Sequence, residues 1–97
     1  MTPEPRSGFA SLFGENLRHH REAADLSREE LSFRASLHRT AVGQLERGER
    51  VARADTLVKL AGALDIPPGV LLEGIAWRPP HPQIGSFEHS SSPRVTP

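Results

Sequence analysis

Apolar residues recur at helical intervals as far as about Gly74 and then cease to. Phe13, Leu17, His20 and Ala24 stand at i, i+4, i+7 and i+11, which predicts a helix over about Phe9 to Ala24 with one inward stripe broken only by the histidine. Asp25 marks a turn. In "LSREEL" Ser27 is followed three residues later by Glu30, a capping box in which each side chain satisfies the other residue's backbone N–H; a second helix therefore starts at Ser27, with Leu31 and Ala35 inward. Only Ser36 and Leu37 separate it from a third, "LHRTAVGQLERG", in which Leu37, Val42 and Leu45 share the inner face and Gly48 suits the end. Helices joined so tightly cross at a steep angle, the spacing of a helix-turn-helix. "ADTLVKLAGALDI" repeats the signature at Leu57, Leu60, Ala61 and Leu64, and "PPGVLLEG" reads as a short fifth helix with proline in its first turn.

The outer face of the third helix is unusual. Arg39, Gly43 and Arg47 stack at i, i+4 and i+8 beside Thr40 and Gln44, so hydrogen-bonding groups run along one ridge. A B-DNA major groove admits such a ridge, and Arg and Gln make paired hydrogen bonds to guanine and adenine edges. A merely solvated helix face would look similar, so the surroundings have to decide.

Composition bounds the answer. Ninety-seven residues with 36% hydrophobic content make one small domain, and the absence of cysteine excludes disulfides and thiolate zinc sites. Residues 1–8 read as a disordered lead-in, 9–74 as the helical domain, and 75–97 as a tail rich in Pro and Ser in which "IAWR" and "IGSFE" are the candidate strands. No leader or membrane-spanning pattern occurs, which points to the cytoplasm. Twelve Lys plus Arg balance twelve Asp plus Glu, a weak mark against a nucleic-acid binder. Locally, however, six arginines (28, 34, 39, 47, 50, 53) face four acids between Arg28 and Arg53. Enzymatic activity is not expected: adjacent His19 and His20 point apart, His81 and His89 lie in the tail, and no cluster has catalytic or metal-ligating spacing. No cofactor is implied.

"FGENLRHHREAADLSREELSFRA", "SLHRTAVGQLERG" and "TLVKLAGALDIPPGVLL", in this order without insertions, resemble the Cro/CI-like (Xre) helix-turn-helix family of phage and bacterial transcription regulators over about Leu12 to Leu72. The resemblance implies an all-α, five-helix lambda-repressor-like domain followed here by an extended, mostly irregular tail. It implies a sequence-specific DNA-binding regulator, a repressor rather than an activator, acting as a homodimer on a two-fold operator. By match of position, His38, Arg39, Thr40 and Gln44 face base edges, with His38 also capping the helix. Ser27, Arg28, Arg47, Arg50 and Arg53 fall where relatives meet phosphates. Arg21 and Glu46 match a structural ion pair that ties helix 1 to helix 3.

Departures from the family pattern add expectations. His20 replaces a usual leucine, so the core there is partly polar or open. Asp25 and Ser36 occupy turn sites where relatives often carry glycine. Phe33 stands on the outer face of helix 2, and Gly43 costs about 1 kcal/mol inside a helix unless close approach requires it. Ile75 and Trp77 share one side of a strand, with Ile84 and Phe87 the large apolar residues that follow. A lone hairpin is marginal in water, so these pieces should be ordered only against another chain or the helical body. Ile75, Trp77 and Phe87 are accordingly the candidate dimer contact, against the alternative of a disordered tail. The competing function is a protein-interaction module or antitoxin on the same scaffold, meeting an unidentified protein through the tail.

Overall fold

In the computed structural model, which describes residues 8–80 and 85–89, four α-helices follow one another: α1 Phe9–Ala23, α2 Arg28–Arg34, α3 Ala41–Glu46 and α4 Ala54–Leu64. A 3₁₀ helix over Pro68–Leu72 and two antiparallel strands, β1 Ile75–Arg78 and β2 Ser86–His89, complete the order. Phe13, Leu17, Leu31, Val42, Leu45, Leu60 and Leu71 are essentially inaccessible to solvent and form one core between the helices. The expected capping box is present at α2: Ser27 Oγ accepts the Glu30 N–H at 2.9 Å and the Glu30 carboxylate accepts the Ser27 N–H at 2.8 Å.

Each α-helix ends in the same way. At the four C-termini the residues in the left-handed region are Asp25 (φ +61°), Ser36 (+59°), Gly48 (+72°) and Asp65 (+59°). In each case its N–H and the next one fold back onto the last turn: Leu26 onto Arg21 O, Leu37 onto Ser32 O, Glu49 onto Gln44 O and Ile66 onto Ala61 O. These are Schellman turns, and Leu26, Leu37 and Ile66, the residues that follow three of them, pack against the core. The turns at Asp25 and Ser36 are those where the family pattern often carries glycine and this chain departs from it; the one at Asp65 gave no such signal.

Several expectations need correction. The inward stripe of α1 is Ala10, Phe13, Leu17 and Arg21, while Ala24 is exposed and His20 only half-buried, because the core meets α1 one residue round from the line drawn through His20. The third helix does not run over the whole of 37–48: its α portion begins at Ala41, since His38 Nδ1 takes the Thr40 N–H at 3.2 Å and the Ala41 N–H turns back to His38 O. His38 therefore caps a turn that leads into the helix. The fifth helix is 3₁₀ rather than α. Asn16 of α1 donates to Leu71 O at 3.0 Å and Glu73 O at 2.9 Å, engaging carbonyls at its end, and Gly74 (φ +79°) stops the chain there.

The tail is a hairpin where it is described, rather than irregular, with Trp77 opposite Phe87. It packs on its own helical body: Phe87 meets Phe9 edge-on at 5.3 Å between centroids, and Phe9 stacks on Phe13 at 5.7 Å. Trp77 lies over Gly85, where a Cβ would come within 2.1 Å of the indole. Residues 1–7, His81 and Ile84 lie outside the described residues. Among the described residues no helix is long and apolar enough to cross a membrane, and no group of His, Asp or Glu could hold a metal ion.

Ser36→Gly should raise the free energy of unfolding by about 1 kcal/mol, more than Asp25→Gly or Asp65→Gly, because serine tolerates left-handed angles less well than aspartate. A denaturant midpoint that fails to rise at Ser36 would show that the angle carries no strain. Glu30 supplies a pH dependence. Hydrogen bonds first from the Ser27 backbone and then from its side chain hold the Glu30 carboxyl below the usual 4.5. Its folded pKa is thus depressed, so its stabilisation is complete above about 4.5 and is lost as pH falls through the folded value. Thermal unfolding followed from pH 7 to 3 should show this loss in the wild type and a smaller one in Glu30→Gln.

Candidate nucleic-acid interface

Six residues of helix cannot hold themselves in place, and α3 is fixed from three sides. Val42 and Leu45 are buried in the core. Buried Ser32 of α2 accepts the Val42 N–H through Oγ at 3.2 Å, satisfying a donor of the first turn. Gly14 of α1 lets the backbones close up, since a Cβ there would stand 2.6 Å from the carbonyl oxygens of Leu45 and Glu46. A fourth tie is ionic. Arg21 grips the Glu46 carboxylate through Nε at 2.6 Å and NH2 at 3.1 Å, and its NH1 donates to Leu26 O at 2.9 Å. Arg28 adds its Nε to the same carboxylate at 3.1 Å. The Arg21 guanidinium is held above its ordinary pKa by the Glu46 hydrogen bond, against an opposing effect of burial. With the Glu46 side chain 3% exposed, the carboxylate is almost entirely withdrawn from water and depends on these cations.

Between α2 and α3 lies an open cleft lined by Ser27, Arg28, Glu29, Arg39, Thr40, Gly43 and Arg47, with Arg21 at its floor. His38, Arg39 and Thr40 are exposed on the turn that leads into α3, and Gln44 is half-buried one turn further on. The His38 ring is occupied locally, its Nδ1 lying 2.9 Å from Thr40 Oγ1 as well as accepting the Thr40 N–H. At Gly43 a Cβ would be tight against Arg47 NH1 at 3.1 Å, the end of a flexible side chain, and in ordinary contact with Arg28 Cδ at 3.6 Å.

The arginines picked out for phosphates are not free rods in solvent. Arg28 is shared with Glu46, Arg47 is held by Glu49 at 2.7 Å, and Arg53 lies 3.3 Å from Asp55. Arg50 NH1 donates to Gln44 Oε1 at 3.0 Å. Ser27 spends its N–H and one lone pair in the capping box, which leaves its hydroxyl hydrogen for any outside acceptor. Sequence reasoning missed Gly14, Ser32 and these partners. The only local hint was the close spacing of acids, 46 and 49 beside 47 and 55 beside 53.

Ile75, Trp77 and Phe87 stand apart from the cleft, on the hairpin. Ile75 packs against the core, while Phe87 lies between Phe9 and Trp77, at 5.1 Å from the latter. Trp77 remains 52% exposed and Phe33, on α2, 83% exposed.

Residues 17–71 match the model of a family described as helix-turn-helix. The control protein C.BamHI of Bacillus amyloliquefaciens is 38% identical over 63 residues, 64% of this chain and 78% of its own length. Among solved structures, the restriction-modification controller protein C.AhdI of Aeromonas hydrophila superimposes with a TM-score of 0.63 at 45% identity, over 64% of this chain and 94% of that one. The P22 c2 repressor, solved with a synthetic operator, gives 0.59 at 29% identity over the same shares.

The ionic tie between α1 and α3 can be measured. Glu46→Ala should cost about 3 kcal/mol of stability, because it leaves Arg21 enclosed without its partner. In a double-mutant cycle with Arg21→Ala, urea unfolding should reveal a coupling of at least about 0.5 kcal/mol. Strict additivity would reduce the two to independent charges.

Proposed function

Because the chain belongs to the helix-turn-helix family, we propose that it is a sequence-specific DNA-binding transcription regulator, a repressor that occupies a two-fold operator as a homodimer. The observation that carries this reading is the outward face of the segment from His38 to Gln44, which sets three hydrogen-bonding side chains on the turn into α3 and a fourth, Gln44, on α3 itself, a helix anchored from behind by Ser32, Gly14 and Glu46. Such an element enters a major groove, with its first residues toward base edges.

His38, Arg39, Thr40 and Gln44 read bases in this proposal. The hydroxyl of Ser27 and the guanidinium groups of Arg28, Arg47, Arg50 and Arg53 meet the flanking phosphates, which fix register without reading sequence. The likeness to controllers of restriction–modification supports a regulatory role without an activity of its own. A homodimer supplies the second half-site, since one domain this small offers little interface for tight specific binding. Ile75, Trp77 and Phe87 are proposed as its contact; the half-exposed Trp77 is the part of the hairpin not already spent on α1.

A second reading, a protein-interaction module or antitoxin that meets a partner through the tail, draws support from the zero net charge and the exposure of Trp77. Titration with random duplex at several salt concentrations separates the two. A regulator loses affinity steeply as salt rises, whereas a pure protein adaptor has no such affinity to lose. Arg39→Ala should then cost about 1 to 3 kcal/mol on a selected site and relax preference at one base pair. An equal loss on random duplex would make Arg39 a phosphate contact.

A further inference from the structure

Resting on that DNA-binding reading, we infer that the recognition surface offers mainly hydrogen-bond donors and therefore favours guanine edges, with Arg50 as the residue that commits Gln44 to this mode. Glutamine by itself is two-sided, and its usual partner, adenine, uses both sides: the amide accepts from N6 and donates to N7. Here the oxygen is turned toward Arg50, with one of its two lone pairs engaged. Arg50 NH1 donates to Gln44 Oε1 at 3.0 Å, and since a guanidinium has no acceptor, the oxygen end of the amide must be the one that faces it. Both hydrogens on Nε2 stay free, while the second lone pair of the oxygen stays beside a cation.

The backbone places Arg50 where it can do this. Gly48 at φ +72° and the Glu49 N–H, bound to Gln44 O at 2.9 Å, fold the chain back after α3 so that residue 50 returns beside residue 44. His38 is committed in the same sense. The Thr40 N–H can only donate, and it donates to Nδ1, so the proton of the neutral ring is on Nε2. Arg39 is a donor by nature. Three of the four base-reading side chains thus present N–H groups outward. In the major groove guanine alone offers two adjacent acceptors, N7 and O6; thymine offers only O4 beside its methyl, and adenine and cytosine each present an amino donor that would meet another donor.

Selection of bound sites from a random duplex pool, run in parallel for the wild type, Gln44→Ala and Arg50→Ala, tests this. The position whose preference vanishes in Gln44→Ala is the one Gln44 reads, and the wild type should select guanine there. In Arg50→Ala that position alone should come to accept adenine, with the other positions unchanged. Placing 7-deazaguanine there, which lacks the N7 acceptor, should weaken the wild type about five- to hundredfold. Adenine selected by the wild type at that position, or an Arg50→Ala variant that weakens every sequence equally and keeps its preferences, overturns the inference and makes Arg50 a plain phosphate clamp. Failure of the folded wild type to enrich any sequence would instead bring down the DNA-binding reading itself. Circular dichroism confirms that each variant keeps its helices; Arg50 and Gln44 lie outside the core, so both substitutions should leave them intact.

Discussion

One carboxylate, that of Glu46, decides how the outward face of α3 is aimed. It sits at the last residue of the helix, almost sealed from water, and is reached by Arg21 from α1 and by Arg28 from α2. Removing a carboxylate from solvent costs several kcal/mol unless charge and hydrogen bonds are returned to it, and here both are returned by residues of two other helices. The helix is too short to be stable alone. Its direction is therefore inherited from α1 and α2, and the Gly14 contact makes the inheritance tight, since no other residue would let the backbones approach so closely.

The second constraint is the way the chain turns. Four left-handed stops with reciprocal backbone hydrogen bonds give short, well-defined corners, and three of them drop an apolar side chain onto the core as they leave. The corner after α3 is the exception: its following residue is Glu49, exposed and paired with Arg47, so the chain there stays on the surface and runs beside the helix it has just ended. That is how residues far apart along the helical path, Gln44 and Arg50, come to share a hydrogen bond.

Much of this was legible before any coordinates. The capping box at Ser27 and Glu30, the left-handed corners at Asp25, Ser36 and Gly48, and the boundaries of α1 and α4 depend on neighbours a few residues away, and such signals are carried locally. The match at Arg21 and Glu46 supplied one long-range contact. What escaped has a common cause. The late start of α3 depends on which nitrogen of His38 meets the Thr40 N–H, and the 3₁₀ form of Pro68–Leu72 goes with an amide reaching over from Asn16. The hairpin is ordered through Phe87 on Phe9, a contact between opposite ends of the chain that no local pattern encodes. The proposed base-reading and phosphate-binding roles concern a complex with DNA, which neither periodicity nor packing of the free chain encodes.

The acids beside the arginines alter how such a regulator would behave in a genome. Arg28, Arg47 and Arg53 each already hold a carboxylate within 3.3 Å, so a phosphate that meets one of them must displace a partner rather than only a loosely held counterion. In the proposed complex, affinity for arbitrary DNA would thereby be held down more than base-specific contacts. A genome presents on the order of 10⁶ to 10⁹ competing sites, and occupancy of the right one depends on the ratio between the two affinities. On the proposed function, a chain with no net charge would leave fewer of its copies on the rest of the chromosome than a basic one.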